Sequence, residues 1–174
     1  MNMGCNGEVV NTQGLTKTTG KLPFFVEKKK MKLPLEIELG RTVSRFHWTL
    51  QNKSNRLLKP LGITTEHMRL LTLISYNEGC DQQFLVEETL KAKSGITALL
   101  DTMSKAGLLA RVPSPTDGRT NLIYLTDRGK ELQRKSVNVL MEAAQPIIGN
   151  EDREVLKKAI EQIQLFTERM LKEI

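Results

Sequence analysis

Between residues 91 and 125 the chain sets Lys91, Lys93, Arg111 and Arg119 around a run of small polar positions, Ser94, Gly95, Thr97 and Ala98. The chemistry open to this set is non-covalent. Cations answer phosphates, and small side chains let a backbone come close to base edges. Asp117, two residues before Arg119 in a glycine-containing turn, suits the ordering of a loop. The charge distribution agrees. The stretch 91–125 holds five basic and two acidic residues, whereas 33–90 holds six and seven and 126–174 holds nine of each. The net charge of +6 is thus concentrated there and in residues 1–32, with six basic and two acidic groups. Such a footprint fits a polyanionic partner. No glycine-rich phosphate loop, paired-carboxylate spacing or nucleophile–base motif occurs, which argues against an enzyme. Two cysteines, Cys5 and Cys80, and two histidines, His47 and His67, show no ligand spacing, so neither metal nor cofactor is expected.

The elements that must hold these residues follow from periodicity. Ile96, Leu99, Leu100 and Met103 recur at helical spacing, with Ser94 as the expected N-cap and Gly107 where a left-handed residue would end the helix. The outward face is then Gly95, Thr97, Ala98, Asp101, Thr102 and Lys105. Two short apolar runs follow, one through Leu108, Leu109 and Val112 and one from Leu122 to Leu125. They flank Pro113-Ser-Pro-Thr-Asp-Gly-Arg-Thr-Asn121, a segment dense in turn formers. This predicts a hairpin with Arg119 at its tip. A helix followed directly by such a hairpin is a winged helix-turn-helix arrangement, the helix suited to a major groove and the arginine to a minor groove.

From Phe84 to Glu131 the order of elements, with Gly107-Leu-Leu-Ala-Arg111, Asp117-Gly-Arg119 and Leu125-Thr-Asp-Arg-Gly129, resembles the MarR family of bacterial regulators. The likeness extends from about Leu35 to the C-terminus, in pattern only for the outer helices. It implies a mainly α fold with a small β-hairpin wing, dimerisation helices at both ends, and a homodimeric DNA-binding transcriptional regulator, more often a repressor. It further implies that the wing aspartate orients nearby arginines, so that Asp117 would pair with Arg111 or Arg119. Double-stranded DNA, in a palindromic site matching the dimer two-fold, and a small-molecule effector are the implied partners. A winged helix used only for protein contacts is the competing reading. Lys91 and Lys93, in the turn before Ser94, would reach phosphates.

The remaining chain divides accordingly. Residues 1–32 are expected to be a disordered basic extension, 33–62 an N-terminal dimerisation helix, 63–125 the winged domain and 126–174 C-terminal dimerisation helices. In the first helix, Leu35 to Leu58, the apolar positions Leu39, Val43, Phe46, Leu50 and Leu57 form a stripe, and His47 and Trp48 lie beside it as residues of a helix junction. Thr64 is placed to cap the second helix, with Ile63 and Met68 as a staple. A third runs from about Asp81 to Leu90. Thr126 and Asp127 cap a helix to about Ala144, broken near Pro146. The last, from about Glu151 to Lys172, repeats apolar residues in a near-heptad manner through Leu156, Ile160, Ile163, Phe166 and Met170. No run approaches the roughly 20 apolar residues of a membrane span and no secretory leader is evident, so the expected location is the cytoplasm.

Overall fold

The computed structural model describes residues 33–148 and 153–173; the expected basic extension, 1–32, lies outside them. Six α-helices and one hairpin run in the order α1 (Leu35–Leu58), a single 3-10 turn (Lys59–Leu61), α2 (Thr65–Tyr76), α3 (Gln82–Thr89), α4 (Lys93–Lys105), β1 (Leu109–Pro113), β2 (Asn121–Leu125), α5 (Asp127–Ile148) and α6 (Arg153–Lys172). The mainly helical class with a two-stranded wing is as read from the sequence. The described residues fall into two units, divided between Gly40 and Arg41. Of the first, the described part is the opening of α1, where Glu38 N–H donates to the Pro34 carbonyl at 3.0 Å.

The second unit is built on one apolar core. Leu58, Ile63, Leu70, Leu71, Ile74, Leu85, Ile96, Leu100, Met103, Leu108, Leu109, Ile123 and Leu125 are buried. They come from α1, α2, α3, α4, both strands and the loop positions Ile63 and Leu108, so the hairpin is rooted in the same core as the helices. Each fully buried aliphatic side chain stabilises by about 1.5–3 kcal/mol relative to exposure. Phe84, Leu99 and Met68 pack on this cluster but stay partly exposed.

Local signals set most of the helix ends. Thr64 caps α2 by accepting from His67 N–H, and the Thr64 N–H turns back to His67 Nδ1 at 3.3 Å, a capping box with histidine in the usual place of Glu or Gln. Asp81 caps α3, its Oδ1 accepting from Phe84 N–H at 2.8 Å. At the end of α4, Gly107 takes φ 67°, the left-handed conformation that a glycine adopts at no steric cost. The strands pair antiparallel from Leu109 opposite Leu125 to Pro113 opposite Asn121. The other edge of β2 is covered at Ile123, which exchanges backbone hydrogen bonds with Cys80 and Gly79 at 2.8 and 3.0 Å.

Thr126 starts α5 as expected, its hydroxyl accepting from Gly129 N–H at 3.1 Å while donating to the Gly107 carbonyl at 2.7 Å. Gly129 is required by close approach. A Cβ there would stand 2.0 Å from the Leu108 carbonyl oxygen.

Two expectations about the outer helices change, the break at Pro146 and the helix junction at His47 and Trp48. Pro146 does not break α5, which continues to Ile148; so near the end, the missing N–H removes one ladder bond from the last turn only. The start of α6 expected at Glu151 lies outside the described residues. In α1, the residues buried by the rest of the unit are Ser54 and Leu58, not the apolar stripe. Asn55 Oδ1 accepts from Thr65 N–H at 2.8 Å and from the Thr65 hydroxyl at 2.6 Å, so a polar face of α1 holds α2. Val43, Phe46, Leu50 and Leu57 stay exposed, and so do Trp48 and His47, which meet edge to face at 5.6 Å rather than filling a junction.

Candidate nucleic-acid interface

The candidate surface is assembled from α3, α4 and the wing. Ile96, Leu100 and Met103 anchor α4 in the core, which turns Ser94, Gly95 and Ala98 outward to solvent. Thr97 is half-buried. Ser94 is not the N-cap. That position is Ala92, with extended ψ 140° and no side-chain cap, and its carbonyl accepts from Gly95 and Ile96 N–H at 2.9 and 3.2 Å. The chain reaches it through Leu90, whose left-handed φ of 54° closes the preceding helix and starts α4 two residues earlier than capping preference suggests. Ser94 therefore lies in the first turn with its hydroxyl exposed.

The two lysines are treated differently. Lys93 is the first residue of α4 and exposed. Lys91 Nζ is bound to Glu66 Oε2 at 2.9 Å, an ion pair that ties the helix-turn-helix bend to the start of α2. Its charge is directed inward to a carboxylate, not held free for a phosphate. Exposed pairs of this kind contribute about 1 kcal/mol or less, so this one orients more than it stabilises.

In the wing the expected pairing of Asp117 with an arginine side chain is not what forms. Asp117 Oδ1 accepts from the Arg119 backbone N–H at 3.0 Å and Oδ2 from the Thr120 hydroxyl at 2.9 Å, while its carbonyl accepts from Thr120 N–H at 2.9 Å. A short carboxylate reaches the backbone two residues ahead more readily than a long side chain. Asp117 therefore shapes the tip and leaves the Arg119 guanidinium exposed. Arg111 pairs with Asp101 of α4 at 2.7 Å, bracing α4 against the base of the wing. Lys93, Arg111 and Arg119 line one open cleft of about 230 Å³ between α3, α4 and the hairpin, together with Asp81, Gln82 and Gln83. Of the three cations lining it, Arg111 is shared with Asp101, and Asp81 adds a carboxylate to the same hollow.

Sequence reasoning missed Gln82 and Asp101. Asp101 was assigned to the outward face, but its partner is ten residues away. Gln82 Nε2 donates to Thr97 Oγ1 at 2.8 Å, a contact across two helices that no local pattern encodes. Cys80 is half-buried beside β2, and burial first and Asp81 second push its thiol above the ordinary range, which disfavours the reactive thiolate. Among the described residues no cluster of His, Cys, Asp and Glu could hold a metal ion, and no helix is long and apolar enough to cross a membrane.

Residues 61–120, from the 3-10 turn to the wing tip, match the model of the MarR family. The transcriptional regulator FarR of Neisseria gonorrhoeae is 25% identical over 117 residues, covering 66% of this chain and 80% of its own length. Among solved structures, AbsC, a MarR family transcriptional regulator from Streptomyces coelicolor, superposes with a TM-score of 0.71 over 83% of this chain and 99% of its own, at 22% identity. The repressor CouR bound to a 23-mer DNA duplex gives 0.67 over 78% and 99%, at 21% identity. The fold is shared even where few residues are. In the segment 61–120 and in the winged fold built around it, this chain is similar to the MarR family of transcriptional regulators.

Proposed function

We propose that the protein is a homodimeric, sequence-specific DNA-binding repressor that a small-molecule effector releases from a palindromic operator. The observation that carries the DNA reading is the cleft on which Lys93, Arg111 and Arg119 converge beside the exposed face of α4. In this reading α4 enters the major groove, with Ser94, Gly95, Thr97 and Ala98 near base edges. Arg119, on a tip shaped by Asp117, enters the adjacent minor groove. Lys93 meets phosphate, and Lys91 does so only by leaving Glu66. None of the small residues on α4 is a strong bidentate reader, so thymine methyls and groove shape carry part of the specificity.

The dimer reading rests on α6. It has no buried residue, although Ile163, Phe166 and Met170 repeat along it. Such a face suits a second copy of the chain. CouR of Rhodococcus jostii, similar in fold, was solved bound to p-coumaroyl-CoA, which supports an organic effector for this chain too. A regulator acting on operator DNA in this way works in the cytoplasm.

The test is titration of the protein into duplex DNA from upstream of its own gene, at near-physiological salt, with a scrambled duplex as control. Arg119→Ala is expected to weaken binding to the upstream duplex about tenfold, in line with the 1–3 kcal/mol of a specific DNA contact, and to leave the dimer intact. Equal, salt-sensitive binding to both duplexes would reduce the surface to a basic patch. Loss of assembly in Arg119→Ala would favour a protein-interaction module instead.

A further inference from the structure

Gln82 opens α3, is half-buried, and reaches across to α4. Its Nε2 donates to Thr97 Oγ1 at 2.8 Å and stands 3.4 Å from the Lys93 carbonyl. The Thr97 hydroxyl in turn donates to that same carbonyl at 2.9 Å. These three contacts fix the chemistry of the amide. With the Thr97 hydroxyl donating to Lys93, the Thr97 oxygen accepts, and the NH2 end of Gln82 satisfies it. A flipped amide would set Oε1 against the Lys93 carbonyl oxygen and would draw the Thr97 hydroxyl proton away from that carbonyl. The amide hydrogens therefore point into α4, and Oε1, which has no partner among the described residues, remains as an acceptor on a residue that lines the cleft with Lys93 and Arg119.

Resting on the reading of α4 as the helix that enters the major groove, we propose that Gln82 is a specificity-determining residue, reading an amino-bearing base edge through Oε1 while its Nε2 positions Thr97. In the major groove adenine offers N6–H2 and cytosine N4–H2, whereas guanine and thymine offer acceptors at the corresponding positions. A free glutamine reads adenine bidentately, giving with Nε2 and accepting with Oε1. Here Thr97 occupies the donor, so Gln82 accepts from adenine and cytosine alike and refuses guanine and thymine. Thr97 is the gate on this degeneracy, because its hydroxyl sets whether Nε2 is available.

The experiment is selection of bound sequences from a pool of randomised duplexes by the full chain, followed by affinity measurements on single-base variants of the selected site. The wild type is expected to show one position per half-site where A and C are accepted equally and G and T bind about tenfold more weakly. Gln82→Leu, close in size and without the amide, is expected to bring that discrimination below twofold, the A and C variants of the site losing more affinity than the G and T variants. Thr97→Val, which keeps the shape and removes the hydroxyl, is expected to turn A-or-C into a preference for A. The proposal is overturned if Gln82→Leu selects the wild-type sequence with the same discrimination. It is equally overturned if Gln82→Leu weakens all duplexes alike, as loss of a phosphate contact would. Should the wild type select no sequence at all, the repressor reading falls with it, an outcome distinct from the other two.

Discussion

Helices α4 and α6 are both amphipathic, of 13 and 20 residues, and they end in opposite situations. In α4 the apolar stripe is spent. Ile96, Leu100 and Met103 are at 0% exposure, and the face that remains is small and polar. In α6 the stripe is unspent, with Phe166 at 40% and Met170 at 62% exposure. The same periodicity thus serves two ends. Where strands and helices close over it, it fixes the orientation of the opposite face, and that face becomes the working one. Where nothing in the described chain closes over it, the apolar face is itself the feature to be used.

Paired substitutions test this contrast most strongly. Leu100→Ala should lower the stability of the winged unit by about 2–5 kcal/mol in denaturant unfolding, the range for a buried leucine, without altering the sedimentation of the protein. Phe166→Asp should do the reverse, shifting sedimentation toward the monomer while leaving the spectroscopic signature of the winged fold in place. If Phe166→Asp sedimented as wild type, the open stripe would have another use. A second substitution sharpens the α4 side. Gly129→Ala puts a methyl group against the Leu108 carbonyl and must displace the junction of wing and α5, with an expected loss of about 1–3 kcal/mol by thermal unfolding.

The smallest effect concerns pH. Burial chiefly, opposed in part by neighbouring Glu66, holds His67 below the ordinary imidazole value of 6.5. The unfolded chain therefore takes up this proton before the folded chain does. The His67 contribution to stability is full above about pH 6.5 and is lost as pH falls from there through the lower folded value. His67→Gln, which keeps a side-chain acceptor for the capping box, should flatten that part of the stability–pH profile. An unchanged slope would exclude His67 as its source.

What could be seen in the sequence was local. The hairpin, Gly107, the Thr64 cap and the Thr126 start of α5 each depend on residues within a few positions of one another, and each formed as expected. The misreadings concern partners chosen by direction in space. Asp117 and Arg111 both lie in the wing, yet Asp117 turns to its own backbone and Arg111 to Asp101. Ser94 has the right side chain for a cap, but the left-handed Leu90 moves the helix start to Ala92. The α1 stripe was correctly seen as apolar, while its packing on α2 runs through Asn55, which no hydrophobic pattern reveals. Gln82 carries no signal at all until α3 is laid on α4.

The Thr126 hydroxyl closes the chain from Gly107 to Thr126 into a loop whose two ends meet at one atom. Inside that ring the strands are zipped, and at its far end Asp117 folds the tip on itself. The conformational freedom of the wing is accordingly surrendered when the protein folds. In the proposed reading a duplex meets a finger already set, and most of the ordering cost that a floppy loop would add to each binding event is absent from the affinity.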